Sequence, residues 1–112
     1  MNGSELNELR RRLGLSQEAT ARVIGVSVRT VARWEAGQSV PSPMAARQLR
    51  ALADLARRLE RLFRPDSIPD WMERPLNRLG GRTPHDVLLG EGAGALLRVV
   101  LEMISGAAPG EG

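Results

Sequence analysis

The 112-residue sequence predicts an all-α protein, with a bundle of short helices over residues 1–64 and a small helical domain over residues 65–112. Three observations carry this expectation. Leucine, valine, isoleucine and alanine recur at three- and four-residue intervals through most of the chain, which gathers apolar side chains on one helical face. Serines and a threonine stand where helices would begin, and glycines where they would end. No stretch alternates apolar and polar residues as a half-buried strand does.

Each element follows in turn. SELNELRRRLG reads as a helix capped by Ser4, with Leu6, Leu9 and Leu13 on one stripe and Gly14 as its stop. LSQEATARVIG follows, with Ser16 as N-cap, Glu18 in the first turn and Gly25 at the end. SVRTVARWEAG starts at Ser27 and stops at Gly37. QSVPSP, with two prolines, is a loop. From Ser42 to Phe63 the pattern is helical again, and Leu49, Leu52, Ala56, Leu59 and Phe63 share a face. RPDSIPD breaks the helix with two more prolines and marks the boundary between the halves. WMERPLNRLGG is a short helical piece, Thr83 to Leu89 another, and Ala93 to Ser105 a longer helix before the tail AAPGEG.

Composition narrows the function classes. Hydrophobic residues make up 42% and charged residues 26%, the balance of a folded chain. No apolar run approaches the ~18 residues of a membrane span, and MNGSELNELRRR lacks the apolar core of a signal peptide. The chain has no cysteine, so disulfides and thiol chemistry are excluded, and a cytoplasmic location is expected. Aromatics are only 3% of residues, leaving the core to aliphatic side chains, and a chain this small often gains stability by pairing. The net charge of +3 is unevenly spread. Residues 1–64 carry 12 arginines against six acids, and residues 65–112 carry four against seven. A basic front half points to a polyanionic partner, and the acidic back half to a different one or none.

The stretch RLGGRTPHDVLLG holds the only histidine, His85, and has the look of a reactive corner. Its residues read better as a joint. Gly80-Gly81 suits a helix C-cap, Thr83 an N-cap, Pro84 the first helical position, and Asp86 the carboxylate that reaches back to the cap. His85 then falls at the second helical position, at the surface. It lacks the His or Cys partners of a metal site, and a nucleophile and orienting group for general-base work. The glycines do not match a phosphate-binding loop, which needs a lysine that the chain does not contain. No enzyme, catalytic residue, metal or cofactor is therefore expected.

The second and third predicted helices carry the sharpest signal. Two short helices joined by a tight Gly-Val-Ser turn form a helix-turn-helix, whose second helix enters the DNA major groove. Ala21 is small where the helices cross, and Val26, Val31 and Trp34 can close a core with Leu9 and Leu13. Ser27, Val28, Arg29 and Thr30 then project at the start of the reading helix, with Arg33 one turn on. Arginine can bond guanine bidentately, and a valine methyl can pack on that of thymine. Gln17, at the start of the preceding helix, is placed to bond a phosphate. LSQEATARVIGVSVRTVARWEAG also resembles the Xre, or phage-repressor-like, helix-turn-helix family over about residues 5–41, departing at Thr20, where the family usually has leucine. Along the next helix, Arg47, Arg50, Arg57, Arg61 and Arg64 lie near one face. They read first as a solvated surface partly paired with Asp54 and Glu60, and second as a contact for phosphates or an acidic partner.

The back half adds a second resemblance. Trp71, Pro75, Leu79, Gly80, Gly81, Thr83, Pro84, Leu88, Leu89, Gly94, Ile104 and Gly106 follow the pattern of the C-terminal toxin-binding domain of Xre/MbcA/ParS antitoxins. His85 replaces a residue usually apolar there, and Gly90-Glu-Gly-Ala-Gly94 is richer in glycine than the pattern. The resemblance implies a type II antitoxin that blocks the active site of a NAD-degrading RES-domain toxin and represses its own operon. It implies a homodimer on an inverted repeat of operator DNA, with the leucine face of residues 49–63 or the C-terminal domain as seam. The toxin contacts expected are Arg82, Ile104, Ser105, Gly106 and Ala107. The alternative is a stand-alone Xre-type regulator whose C-terminal domain only dimerises.

Overall fold

The computed structural model describes residues 1–106. Seven α-helices follow one another among them, α1 (Gly3–Leu13), α2 (Gln17–Ile24), α3 (Val28–Glu35), α4 (Pro43–Leu62), α5 (Ile68–Met72), α6 (Pro84–Glu91) and α7 (Ala93–Ser105). Two single 3-10 turns, Pro65–Ser67 and Asn77–Leu79, complete the chain path, and no strand occurs among the described residues. No described helix is long and apolar enough to cross a membrane.

The helix ends follow the local chemistry, with two departures. Ser16, Ser27, Ser42 and Thr83 cap α2, α3, α4 and α6 through their side-chain oxygens. Asn2, and not Ser4, caps α1, because its amide oxygen accepts from the Glu5 N–H while the Glu5 carboxylate accepts from the Asn2 N–H. That reciprocal pair satisfies two amide groups that the helix start would otherwise leave bare. The second departure is α5, which begins inside RPDSIPD. Pro65 opens a 3-10 turn and Pro69 sits in the first turn of α5, where a missing N–H does no harm. Proline there starts a helix.

A single apolar cluster runs through both halves, from Leu6 on α1 to Val100 on α7. Leu49, Leu52, Leu55, Ala56 and Leu59 of α4 are all buried, and α7 packs along α4. The leucine face of α4 is therefore consumed inside one chain and is not available as a dimer seam. Phe63 extends the stripe half-buried and meets Trp71 at a ring-centroid distance of 5.3 Å. α5 packs on α1 and α6 on α2, so the two halves share one core. The molecule extends 48 × 24 × 23 Å.

Candidate nucleic-acid interface and docking surface

α2 and α3 are set by short-range bonds. The Ser16 hydroxyl accepts from the Ala19 N–H at 2.9 Å, and the Ser27 hydroxyl from the Thr30 N–H at 3.1 Å. Between them the Gly25 and Val26 amides both donate to the Ala21 carbonyl, a double bond pattern that needs the left-handed backbone at Gly25, φ +88°. Val31 and Trp34 face inward and are buried. Thr20, the position where leucine is usual, is also buried, and its hydroxyl donates to the Ser16 carbonyl at 3.0 Å. A buried hydroxyl is thus satisfied within its own helix.

The outward side of α3 carries the residues expected to read DNA. Ser27, Val28, Arg29 and Arg33 are exposed, Val28 at 40%, and Thr30 is half-buried. Arg29 and Arg33 stand one helical turn apart, and neither pairs with a carboxylate among the described residues. The Ser27 and Thr30 hydroxyls lie 2.9 Å apart, so both serve the cap first. Gln17 has a partner that its expected place did not include: its side-chain amide donates one N–H to Glu35 Oε1 at 3.0 Å, and the side chain is half-buried.

Glu35 and Arg10 are the residues that sequence reasoning missed. Arg10 donates through Nε to Glu35 Oε2 at 2.8 Å and through Nη2 to Oε1 at 3.2 Å, and through Nη1 to the Leu15 carbonyl at 3.0 Å. Asn7 adds a bond to Glu35 Oε1 at 3.2 Å. The Arg10 hydrogen bond, joined by those of Gln17 and Asn7, holds the Glu35 carboxyl below its ordinary range against the opposing effect of burial. The same bond raises Arg10. The carboxylate clamps the end of α3 to α1 and to the start of α2. A charged residue beside Trp34, next to a buried face, was the available signal.

On α4 and just past its end the arginines divide. Arg57 and Arg58 pair with Asp54 at 2.8 and 3.5 Å, Arg64 lies 3.9 Å from Asp66, and Arg12 of α1 takes Glu60 at 2.7 Å. Arg47, Arg50 and Arg61 are exposed with no carboxylate partner among the described residues.

The second surface is built on α6 and α7. Gly80 and Gly81 both take positive φ, +69° and +87°, which turns the chain after the Asn77–Leu79 turn. The Thr83 hydroxyl accepts from the Asp86 N–H at 2.9 Å, and Asp86 accepts from the Thr83 N–H at 3.1 Å. The Thr83 N–H, joined by the Thr83 hydroxyl, lowers the Asp86 pKa. His85 is half-buried at the second position of α6, deeper than the surface position expected for it. Among the described residues no three of His, Asp or Glu gather as metal ligands would. Arg82 donates to the Leu79 carbonyl at 3.1 Å and pairs with Glu91, so its charge is already met. Ile104 is half-buried against the core, while Ser105 and Gly106 are exposed at the end of α7. Arg82 and the residues 104–106 thus sit on separate elements, and Ala107 lies outside the described residues.

Comparison with known proteins bears on both surfaces. The helix-turn-helix family HTH_3 matches residues 6–55. The chain is 38% identical over 77 residues to the mycobacterial cidal antitoxin MbcA of Mycobacterium tuberculosis and of Mycobacterium bovis, a span of 69% of this chain and 68% of each relative. Its structure is similar to a chain in the crystal structure of the M. tuberculosis MbcT–MbcA toxin–antitoxin complex, with a TM-score of 0.68 and 31% identity. That match covers 95% of this chain and 96% of the other, and so includes the helices of both halves.

Proposed function

This chain belongs to the Xre-type helix-turn-helix antitoxins related to MbcA, and from that premise we propose that it neutralises a RES-domain toxin and represses its own operon. The observation that carries the reading is the match over both halves to a chain of the MbcT–MbcA toxin–antitoxin complex, together with the sequence identity to the antitoxin MbcA. In this reading the exposed end of α7, Ser105 and Gly106, enters the mouth of the toxin's NAD-degrading active site and keeps substrate out. The capping box of α6 and the glycine turn before it set the direction in which α7 leaves the core. The chain works in the cytoplasm, where operator DNA and NAD are both at hand, and contributes no catalytic group of its own.

Repression follows from α3. Arg29 and Arg33 read base edges, Val28 packs on a thymine methyl, and Ser27 and Thr30 hold the start of the helix against the groove. One such helix makes few base contacts, so two copies on an inverted repeat supply the specificity, with half-sites about one helical turn apart. The test is a bacterial strain carrying a RES-domain toxin gene under an inducible promoter. Co-expression of this chain should restore growth and cellular NAD, and should silence a reporter fused to the operon's own promoter. Rescue without silencing would remove the operon-repression half of the reading. Silencing without rescue would favour a stand-alone regulator.

A further inference from the structure

Asn2 is followed by Gly3, and of the chain's three asparagines it alone has a neighbour without a side chain. Asn7 precedes Glu8, and Asn77 precedes Arg78. The pair matters chemically. A backbone nitrogen can attack the side-chain carbonyl of the asparagine before it, and glycine leaves that approach uncrowded. Asn2 is exposed at the N-cap of α1, and Gly3 is the first helical residue. The Gly3 N–H therefore has no acceptor within the helix and is free to lose its proton. The Asn2 carboxamide is also held in a way that favours attack at its carbon. Its Oδ1 accepts from the Glu5 N–H at 2.8 Å, a donor placed where negative charge develops. Asn7 offers neither feature, because the Glu8 N–H belongs to the ladder of α1 and the Asn7 amide is spent on Glu35.

We propose that Asn2–Gly3 is a site of self-modification, at which the chain converts its own N-cap to isoaspartate and so loosens the seat of α3. The Gly3 nitrogen, deprotonated by solvent base, forms a bond to Asn2 Cγ. The bond from Cγ to Nδ2 then breaks, and ammonia leaves with a solvent proton, which closes a five-membered succinimide. Water opens the ring at one of its two carbonyls. Cleavage between Cγ and the Gly3 nitrogen gives aspartate at residue 2. Cleavage between the backbone carbonyl carbon and that nitrogen gives isoaspartate, with the main chain now running through Cβ and Cγ. Water enters, ammonia leaves, and nothing is oxidised or reduced.

The two products differ in consequence. Aspartate caps a helix as well as asparagine does, and its charge suits the helix start. Isoaspartate adds a carbon to the main chain and displaces the capping oxygen, so the reciprocal bonds between Asn2 and Glu5 are lost. Gly3 moves with them. A Cβ on Gly3 would already run into the carbonyl oxygens of Trp34 and Glu35, so the first turn of α1 directly backs the end of α3. The fold also sets the pace of the reaction. Asn2 has an extended ψ of 176° and must turn before the Gly3 nitrogen faces Cγ, so attack waits on fraying of the first turn of α1.

The test ages the full chain in mildly alkaline buffer and cleaves it after glutamate, which puts Asn2, Asn7 and Asn77 on separate peptides. The mass gain of deamidation should appear first on the Asn2 peptide, and isoaspartyl methyltransferase with S-adenosylmethionine should label that peptide. In urea the same peptide should react severalfold faster, since the gate is gone. Aged wild type should show a lowered thermal midpoint and faster hydrogen exchange in the last turn of α3. Asn2→Ser keeps a capping oxygen and has no carboxamide, so it should age with neither change. A gain on the Asn7 or Asn77 peptide as fast as on that of Asn2 would overturn the site. An equal rate with and without urea would overturn the gate. Isoaspartate at residue 2 with the midpoint and the exchange of α3 unchanged would overturn its effect on the reading helix.

Discussion

Four nitrogen donors converge on Glu35 from α1 and α2, two of them from Arg10. The placement of α3 depends on this carboxylate, because the helix has only eight residues and two buried anchors, Val31 and Trp34. Glu35→Gln keeps the shape and removes the charge. It should cost about 1.5–3 kcal/mol at neutral pH, the usual contribution of hydrogen bonds to an ionised group, as read from denaturant titration. The pH dependence has a definite sign. The folded pKa lies below the ordinary 4.5, so this stabilisation is complete above 4.5 and is lost as pH falls through the folded value. The wild type should therefore lose more stability on acidification than the Gln variant. Arg29→Ala belongs to the same scale but to a different property. It should leave the melting temperature unchanged, cost ~1–3 kcal/mol of operator affinity, and relax base preference at one position in a binding-site selection. Gln17→Ala should behave as a stability variant, since its amide serves Glu35.

Among the elements, Gly3 gives the sharpest contrast between a helix considered alone and one in its place. In the first turn of a free helix, alanine is favoured over glycine by about 1 kcal/mol. Here a Cβ at Gly3 would run into the carbonyl oxygens of Glu35, and of Trp34 at 2.6 Å. Gly3→Ala should lower the thermal midpoint instead of raising it, and loosen the end of α3 in hydrogen exchange. At the other joint a Cβ at Gly81 meets no neighbour, so Gly81→Val is opposed chiefly by its left-handed backbone, a cost of ~1–3 kcal/mol. Thr83→Ala removes a cap worth ~0.5–2 kcal/mol. Both should weaken neutralisation through the direction of α7, whereas a polar replacement of His85 tests how far its half-buried ring matters to packing. Most of this level was legible in the sequence. The serine and threonine caps, the glycine stops and the span of α7 follow from side chains that act on their own helix. Ser4 was misread because Asn2, two residues earlier, also has the oxygen and the partner Glu5 that a capping box needs. α5 was hidden because Pro65 and Pro69 look alike as breakers and as starters until the chain direction is known. Glu35, Gln17 and Gly3 were not legible, since each owes its place to a contact between helices.

For the whole molecule, one core runs across the boundary that the proline-rich stretch marks. α4 carries α7, α1 carries α5 and α2 carries α6, so neither half can bury its apolar face alone. Heat should unfold the chain in one transition, with the same midpoint by circular dichroism and by tryptophan fluorescence, since Trp34 and Trp71 lie in different halves. A fragment of residues 66–112 should have little helix in isolation. The shared core also joins α3 to α6 mechanically, because α2 packs on both. The claim on which the rest depends is that the free end of α7 closes a toxin's active site. It is tested most directly by NAD consumption, with a purified RES-domain toxin titrated against the full chain and against a chain ending at the half-buried Ile104, which removes Ser105 and Gly106. Neutralisation is predicted to be stoichiometric with the full chain and sharply reduced with the shortened one, while operator binding stays the same. Full inhibition by the shortened chain, or undiminished NAD loss with the intact one, would contradict it.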